Sequence, residues 1–288
     1  MKLSVFTVTM PEFTIEEACA FLKKTGYEGI ELRVFDLTEE QRKQPPFFWG
    51  NNKIDLGVKN MKAKAKNIRK VCDSYGIKVC NLATYLKVDD IADAEIVCQN
   101  IHTFGCKSFR AGVMGYDRKL TYRECYEKTV KNLAKIEKLC KKYKARGIIE
   151  IHMGNIACSA SAAHKIVSNF DPKYIGVIHD AGNMVYEGYE NYKMGLEILG
   201  PYLAHVHIKN ASWGLKKVNF DGSAIWEPSF APVNAGFANL EQLMADLKAV
   251  KYDKWLSVED FNPTEAKEKL KNAHDYLRKI FKKTALKK

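Results

Sequence analysis

Four side chains able to hold a cation stand at the ends of four consecutive apolar runs. They are Glu150 in RGIIEIHM (146–153), Asp180 in YIGVIHD (174–180), His207 in LAHVHIKN (203–210) and Glu259 in KWLSVED (254–260). Three carboxylates and one imidazole make a donor set suited first to Mn²⁺, with Mg²⁺, Co²⁺ or Zn²⁺ as alternatives, at metal–oxygen distances of roughly 2.0–2.2 Å. One divalent ion would let the carboxylates tolerate one another, because it cancels much of their repulsion. A carboxylate at a strand end often only pairs with a neighbouring Lys or Arg, but four such groups in register favour a metal. The chemistry of such a centre is proton abstraction beside a carbonyl, through an enediolate stabilised by the cation. Glu150 and Glu259, flanking the metal, are the expected proton carriers. Returning the proton to the opposite face epimerises, and returning it to the next carbon isomerises. Losing a β-substituent instead gives elimination.

Further polar residues fall on the same strand face. His152 lies two residues past Glu150 and nearer the strand end. It is either a catalytic acid/base for a leaving group or a hydrogen-bond donor to Glu150 or a substrate hydroxyl. Lys209, Arg110, Arg33 and Asn81 are expected substrate contacts. Lys209 has a carboxylate pair as its plain alternative, and Arg33 an internal pair with Glu31. His205 sits one layer deeper than His207 and reads as a hydrogen-bonded core histidine. His179 has outward parity, and His102, His164 and His274 lie in helical runs.

These residues need a scaffold that brings strand ends together. Eight strand-like runs (3–9, 29–34, 77–84, 107–112, 146–153, 174–180, 203–210, 254–260) alternate with eight helical ones (14–25, 57–75, 93–104, 121–144, 159–170, 189–199, 237–250, 263–281). Glycines at 26, 76, 105 and 200 close helices shortly before the next strand. Eight strand–helix units in 288 residues fit a closed parallel barrel better than an open doubly wound sheet. No GxGxxG or GxxxxGK[ST] follows the first strand. The fold expected is α/β, a single (β/α)8 TIM barrel spanning residues 1–288 as one domain. In such barrels function gathers at the C-terminal strand ends, where the polar residues above converge.

The alternation and the segments Glu150-Ile-His152, Asp180-Ala-Gly-Asn183, His205-Val-His207-Ile-Lys209 and Ser257-Val-Glu259-Asp-Phe261 resemble the xylose isomerase-like TIM barrels, over nearly the whole chain. That superfamily includes sugar isomerases and epimerases, inosose dehydratase-like lyases and type IV apurinic endonucleases. The resemblance implies Glu150, Asp180, His207 and Glu259 as metal ligands. Departures narrow the choice. Ketose 3-epimerases of the family carry His where this chain has Asn183, and Glu and Arg where it has Ile156 and Trp213. The endonucleases need histidines on strands 2 and 3, yet none precedes His102. The resemblance therefore implies a metal-dependent isomerase or epimerase on a sugar, cyclitol or keto-sugar, with Asn183 and Trp213 among the substrate contacts. The alternatives are a lyase, of inosose-dehydratase type or cleaving C- or O-glycosidic bonds of 3-keto-glycosides with a partner subunit, and a non-catalytic sugar or nucleic-acid binder.

Composition bounds the rest. The formal net charge is +12, concentrated in 59–70 and in the C-terminal helical run. It reads as a basic solvated exterior, and nucleic acid is not expected as a partner. The eight cysteines form no CxxC, five of them fall in helical runs, and no apolar stretch suits a signal peptide or a membrane span. A cytoplasmic protein with reduced thiols is expected, acting on a small-molecule sugar, as a homo-oligomer or with a partner subunit. The loop expected over 211–236 carries Trp213, Trp226 and Phe230, and the one after the second strand carries Phe47, Phe48 and Trp49. Such mouth aromatics suit stacking on a neutral sugar or an aglycone, or serve as a lid or an oligomer contact.

Overall fold

Period-two runs separated by capped helices close into a barrel in the computed structural model, which describes residues 1–285. The chain order is β1 (Lys2–Phe6), α1 (Ile15–Thr25), β2 (Gly29–Val34), α2 (Glu39–Arg42), α3 (Met61–Tyr75), β3 (Lys78–Thr84), α4 (Ile91–Asn100), β4 (Ser108–Arg110) and α5 (Tyr122–Tyr143). It continues with β5 (Arg146–Glu150), α6 (Ala160–Val167), β6 (Ile175–Asp180), α7 (Ala181–Tyr186), α8 (Tyr192–Leu199), β7 (Leu203–Ile208), β8 (Asn210–Val218), β9 (Ala224–Ala231), α9 (Leu240–Ala249), β10 (Trp255–Val258) and α10 (Ala266–Ala285). Eight parallel strands form the closed ring β1-β10-β7-β6-β5-β4-β3-β2, so the expected (β/α)8 barrel is the fold.

Local chemistry sets where the helices start and stop. Thr14 and Thr121 accept from the amides of Glu17 and Glu124, whose carboxylates reach back to the threonine amides, forming reciprocal capping boxes. Gly26 and Gly76 end α1 and α3 in the left-handed region, which an L side chain enters only with strain. Outward strand residues such as Leu3, Ile30, Ile149, Val206 and Leu256 are fully buried under the helices. The inner face is polar instead, with Ser4, Glu31, Asn81, His205, His207 and Ser257 at most 2% exposed.

Two expectations need correction. The first strand stops at Phe6, and Thr7–Thr9 form a 3-10 turn rather than its last residues. The stretch expected as a loop after the seventh barrel strand is an antiparallel hairpin, β8 with β9, in which Trp213 faces Pro228 and Leu215 faces Trp226. The short helix α7 is an addition, starting directly at Asp180. No described helix is long and apolar enough to cross a membrane. All eight cysteines are free thiols, the five expected in helical runs being buried.

Candidate metal centre

Barrel register carries the four candidate ligands to one spot. Glu150 ends β5, Asp180 ends β6 and lies opposite His207 on β7, and Glu259 directly follows β10, where Ser257 pairs with His207. One ligand atom from each of the four lies within 4.8 Å of the others, and all four residues are buried. His207 Nδ1 stands at the centre, 3.0 Å from Glu150 Oε1, 3.4 Å from Asp180 Oδ2 and 3.6 Å from Glu259 Oε2. Asp180 divides its oxygens: Oδ1 accepts the Asn183 amide at 2.9 Å and so caps α7, while Oδ2 turns to the cluster.

The Lys209 ammonium lies 2.9 Å from Asp180 Oδ2 and against Glu259 Oε2. Neither oxygen receives a well-aligned hydrogen bond, so the lysine supplies charge while the lone pairs keep no directional partner. Carboxylate oxygens held by an ion pair but by no aligned hydrogen bond, beside an imidazole nitrogen, are the donors a divalent cation requires, and the residues present fit such an ion.

The electrostatics follow from burying three acids together. Burial alone would raise Glu150, but the Arg110 and His207 charges outweigh it and hold the carboxyl well below its usual range. Asp180 is likewise lowered, burial being outweighed by Lys209 and His207. At Glu259 burial prevails over Lys209 and His207, and the group is pushed up to about 7. Burial disfavours a charged His207, yet Glu31, Asp180 and Glu150 raise it well above an ordinary histidine. The cluster thus demands positive charge, which Lys209, Arg110 and the His207 proton supply in the absence of a metal.

Above the cluster opens a cavity of about 500 Å³, lined by Glu150, Glu259, His152, Lys209 and Arg110, with Trp49, Tyr85 and Phe230 as aromatic walls. Arg110 ion-pairs with Glu150, donates to the Thr84 carbonyl at 2.9 Å and lies 4.6 Å over the Tyr85 ring. His152 Nδ1 lies 2.6 Å from the Met153 carbonyl. A carbonyl only accepts, so Nδ1 carries the proton and a neutral ring keeps its lone pair on Nε2. Phe261 joins the wall, its ring 4.5 Å from Trp49 and 4.8 Å from Phe230.

The remaining expected contacts lie off this lining. Asn183 is buried beside the ligands, donating to Glu150 Oε1 at 3.3 Å and accepting from Lys209 at 2.9 Å. Asn81 is wholly buried and donates to Glu31. Arg33 does not pair with Glu31: it donates to the Gly50 carbonyl at 2.9 Å and lies 4.8 Å over Phe35, while Glu31 turns to His205 and His207. Trp213 is 37% exposed and donates its indole N–H to the Val185 carbonyl. The sequence gives Tyr85 no signal beyond its place directly after β3, and Phe261 enters it only as the end of the Ser257–Phe261 segment, with no wall role. A larger groove of about 920 Å³ between α1 and α10 is lined by surface acids and lysines around Phe13 and Phe21. It has no convergent buried polar groups, which gather at the barrel mouth instead.

Fold and site together define a (β/α)8 barrel with a carboxylate–imidazole cluster at the C-terminal ends of its strands, where such barrels place their chemistry. The chain belongs to the xylose isomerase-like TIM barrel family, whose model matches residues 19–280. Among solved structures it is similar to the IolI protein crystallised with a zinc atom, at 18% identity, with a TM-score of 0.74 and 99% of each chain covered. It is also similar to the 3-keto-D-glucoside 4-epimerase YcjR from E. coli (14% identity, TM-score 0.72, 97% of this chain and 99% of that one covered). The xylose isomerase domain protein from Planctomyces limnophilus is similar at 17% identity and TM-score 0.67, covering 99% of this chain and 98% of that one. These likenesses establish the shared fold. No curated protein sequence matches the chain.

Proposed function

We propose that this protein is a divalent-metal-dependent isomerase or epimerase acting on a sugar, cyclitol or keto-sugar by proton abstraction α to a carbonyl. The observation that carries the reading is the convergence of Glu150, Asp180, His207 and Glu259, with Asp180 Oδ2 and Glu259 Oε2 lacking an aligned hydrogen bond, on the floor of an aromatic-walled cavity. A bound divalent ion, Mn²⁺ by preference of this oxygen-rich set, would polarise the substrate carbonyl and its neighbouring hydroxyl. The chain's own groups do the rest. Glu150 and Glu259 stand on strands separated by β6 and β7, so they approach a bound substrate from two sides. One takes the proton from the carbon and the other returns a proton. Lys209 and Arg110 hold the two carboxylates in place through their ion pairs. Trp49, Phe230 and Tyr85 exclude water and stack on the sugar's apolar face.

A neutral substrate fits this cavity. Its two lining cations, Lys209 and Arg110, are already engaged by Asp180, Glu259 and Glu150. The structural relatives support the same class: one is a 3-keto-D-glucoside 4-epimerase, and another binds a zinc atom. A second reading, elimination from a keto-sugar, draws on His152, which lines the cavity with Nε2 available to protonate a leaving group once charged.

The test is incubation of Mn²⁺-loaded protein with keto-sugars and 3-keto-glycosides in D₂O, followed by proton NMR. Deuterium entering the carbon beside the carbonyl, with no aglycone or water released, is the expected result. Release of a leaving group would assign the protein to the lyase reading. Exchange that persists undiminished after chelation would sink the metal-dependent mechanism.

A further inference from the structure

The ligand His207 has two ring nitrogens, and only Nδ1 faces the cluster of Glu150, Asp180 and Glu259. Nε2 points the other way, 3.3 Å from Glu31 Oε1 and 3.2 Å from Glu31 Oε2. We propose that Glu31 is a positioning residue for the metal centre: it fixes the His207 ring and tautomer so that the Nδ1 lone pair is presented to the cation. This rests on the metal-dependent reading above and assigns a role to a residue outside the cavity.

An ionised carboxylate only accepts hydrogen bonds, so a ring nitrogen in contact with Glu31 must carry its proton. Once a cation takes Nδ1, the single ring proton resides on Nε2, against Glu31. The carboxylate is itself held by several strands. Asn81 on β3 donates to Oε1 at 2.8 Å, and His205 Nε2 lies 3.0 Å from Oε2. Asn81 in turn accepts from the Ser108 hydroxyl of β4 at 2.9 Å. Phe6 stacks on the other side of the His207 ring, with centroids 5.9 Å apart and planes 28° apart, so rotation out of this plane meets an aromatic face.

Glu31 and His207 are completely buried, and Glu31 does not line the cavity, so a direct contact with substrate is ruled out. A buried carboxylate costs several kcal/mol unless it is paired and hydrogen-bonded. The network here meets that demand with donors, one of which is the metal-ligand histidine. A carboxylate accepting from the far nitrogen of a ligating imidazole raises the ligand's basicity and fixes its orientation. Glu31, His205 and His207 also lie close enough to be considered a cation site themselves. The Asn81 amide already occupies Oε1, and a cation there would share His207 with the cluster above, which requires stripping both ring protons.

The experiment is calorimetric titration of chelator-stripped protein with Zn²⁺, comparing wild type with Glu31→Gln, alongside the thermal midpoint of each metal-free protein. Glu31→Gln is expected to remain folded and to bind Zn²⁺ about 10–100-fold more weakly, as for other residues that buttress a ligating histidine. Binding unchanged to within about twofold overturns the inference alone, since the measured range for such partners starts near tenfold. No Zn²⁺ binding by wild type sinks the metal reading and this inference with it. A second readout needs no variant, should Glu31→Gln fail to fold: ¹⁵N NMR of His207 in Zn²⁺-loaded wild type. A protonated Nε2 and a metal-bound Nδ1 are expected, and the reverse assignment overturns the inference.

Discussion

At the residue scale, Asp180 shows how little of a ligand's design lies in its charge alone. Its Oδ2 joins the candidate metal cluster, while Oδ1 holds the Asn183 amide and starts α7. Asp180→Asn and Asp180→Ala both remove the charge and are expected to abolish high-affinity metal binding. Asparagine retains the cap, whereas alanine loses it together with the atom that faces Lys209 and His207. Asp180→Ala should therefore be less stable than Asp180→Asn by about 1 kcal/mol, read by denaturant unfolding of the metal-free proteins. Equal stabilities would contradict a stabilising cap at Oδ1. That the four candidate ligands converge was legible in the sequence, because strand parity and position put them on one face near the strand ends. The partners of Glu31 were not. Its two histidine partners lie across the barrel, on β7, which is separated from β2 by β1 and β10 in the ring, so those contacts exist only once the sheet closes. Local alternation pointed to Arg33 instead, whose side chain runs out over Phe35 and Tyr85.

At the scale of elements, α7 packs its first turn against the end of β7. A Cβ on Gly182 would stand 2.6 Å from Lys209 Cγ and 2.8 Å from the Lys209 carbonyl carbon, too close to real backbone to be absorbed by a side-chain shift. Gly182→Ala is expected to lower stability by about 1–3 kcal/mol, the usual cost of overpacking, and to displace Lys209 from Asp180 and Glu259. An unchanged thermal midpoint with unchanged turnover would show that the approach is slack. Sequence periodicity found the barrel strands and the helices between them, with ends off by a few residues. It overlooked α7, only six residues long and containing that glycine, because so short a segment shows no period. It also read β8 and β9 as a loop. The turn signal Asp221-Gly222 is present, with Gly222 at φ +82°, but beyond Trp213 the hairpin exposes apolar and charged residues alike. Pro228 further interrupts its second strand. With neither face buried, the alternation that marks a strand is missing.

At the scale of the whole molecule, charge and chemistry occupy different places. Lys62, Lys66 and Lys70 on α3 and Lys267, Lys271, Lys279, Lys282 and Lys283 on α10 are exposed on the outer ring, away from the cavity lining. At the mouth the carboxylates of Glu150, Asp180 and Glu259 are balanced locally by Arg110 and Lys209. For a neutral sugar, kcat/KM should then change by less than about twofold between roughly 0.05 and 0.5 M salt, because screening alters only long-range steering of charged ligands. A steep fall with salt would point to an anionic substrate drawn in by the basic exterior.

On the reading proposed above, Glu150, Asp180, His207 and Glu259, at the ends of β5, β6, β7 and β10, hold a divalent ion. Metal analysis of the chelator-stripped protein after Mn²⁺ reloading and desalting, with its thermal midpoint, tests it without knowledge of the substrate. One ion per chain, a raised midpoint, and loss of both in Glu150→Gln are expected. A wild-type protein that retains no divalent metal and gains no stability from Mn²⁺, Mg²⁺, Co²⁺ or Zn²⁺ would contradict the account.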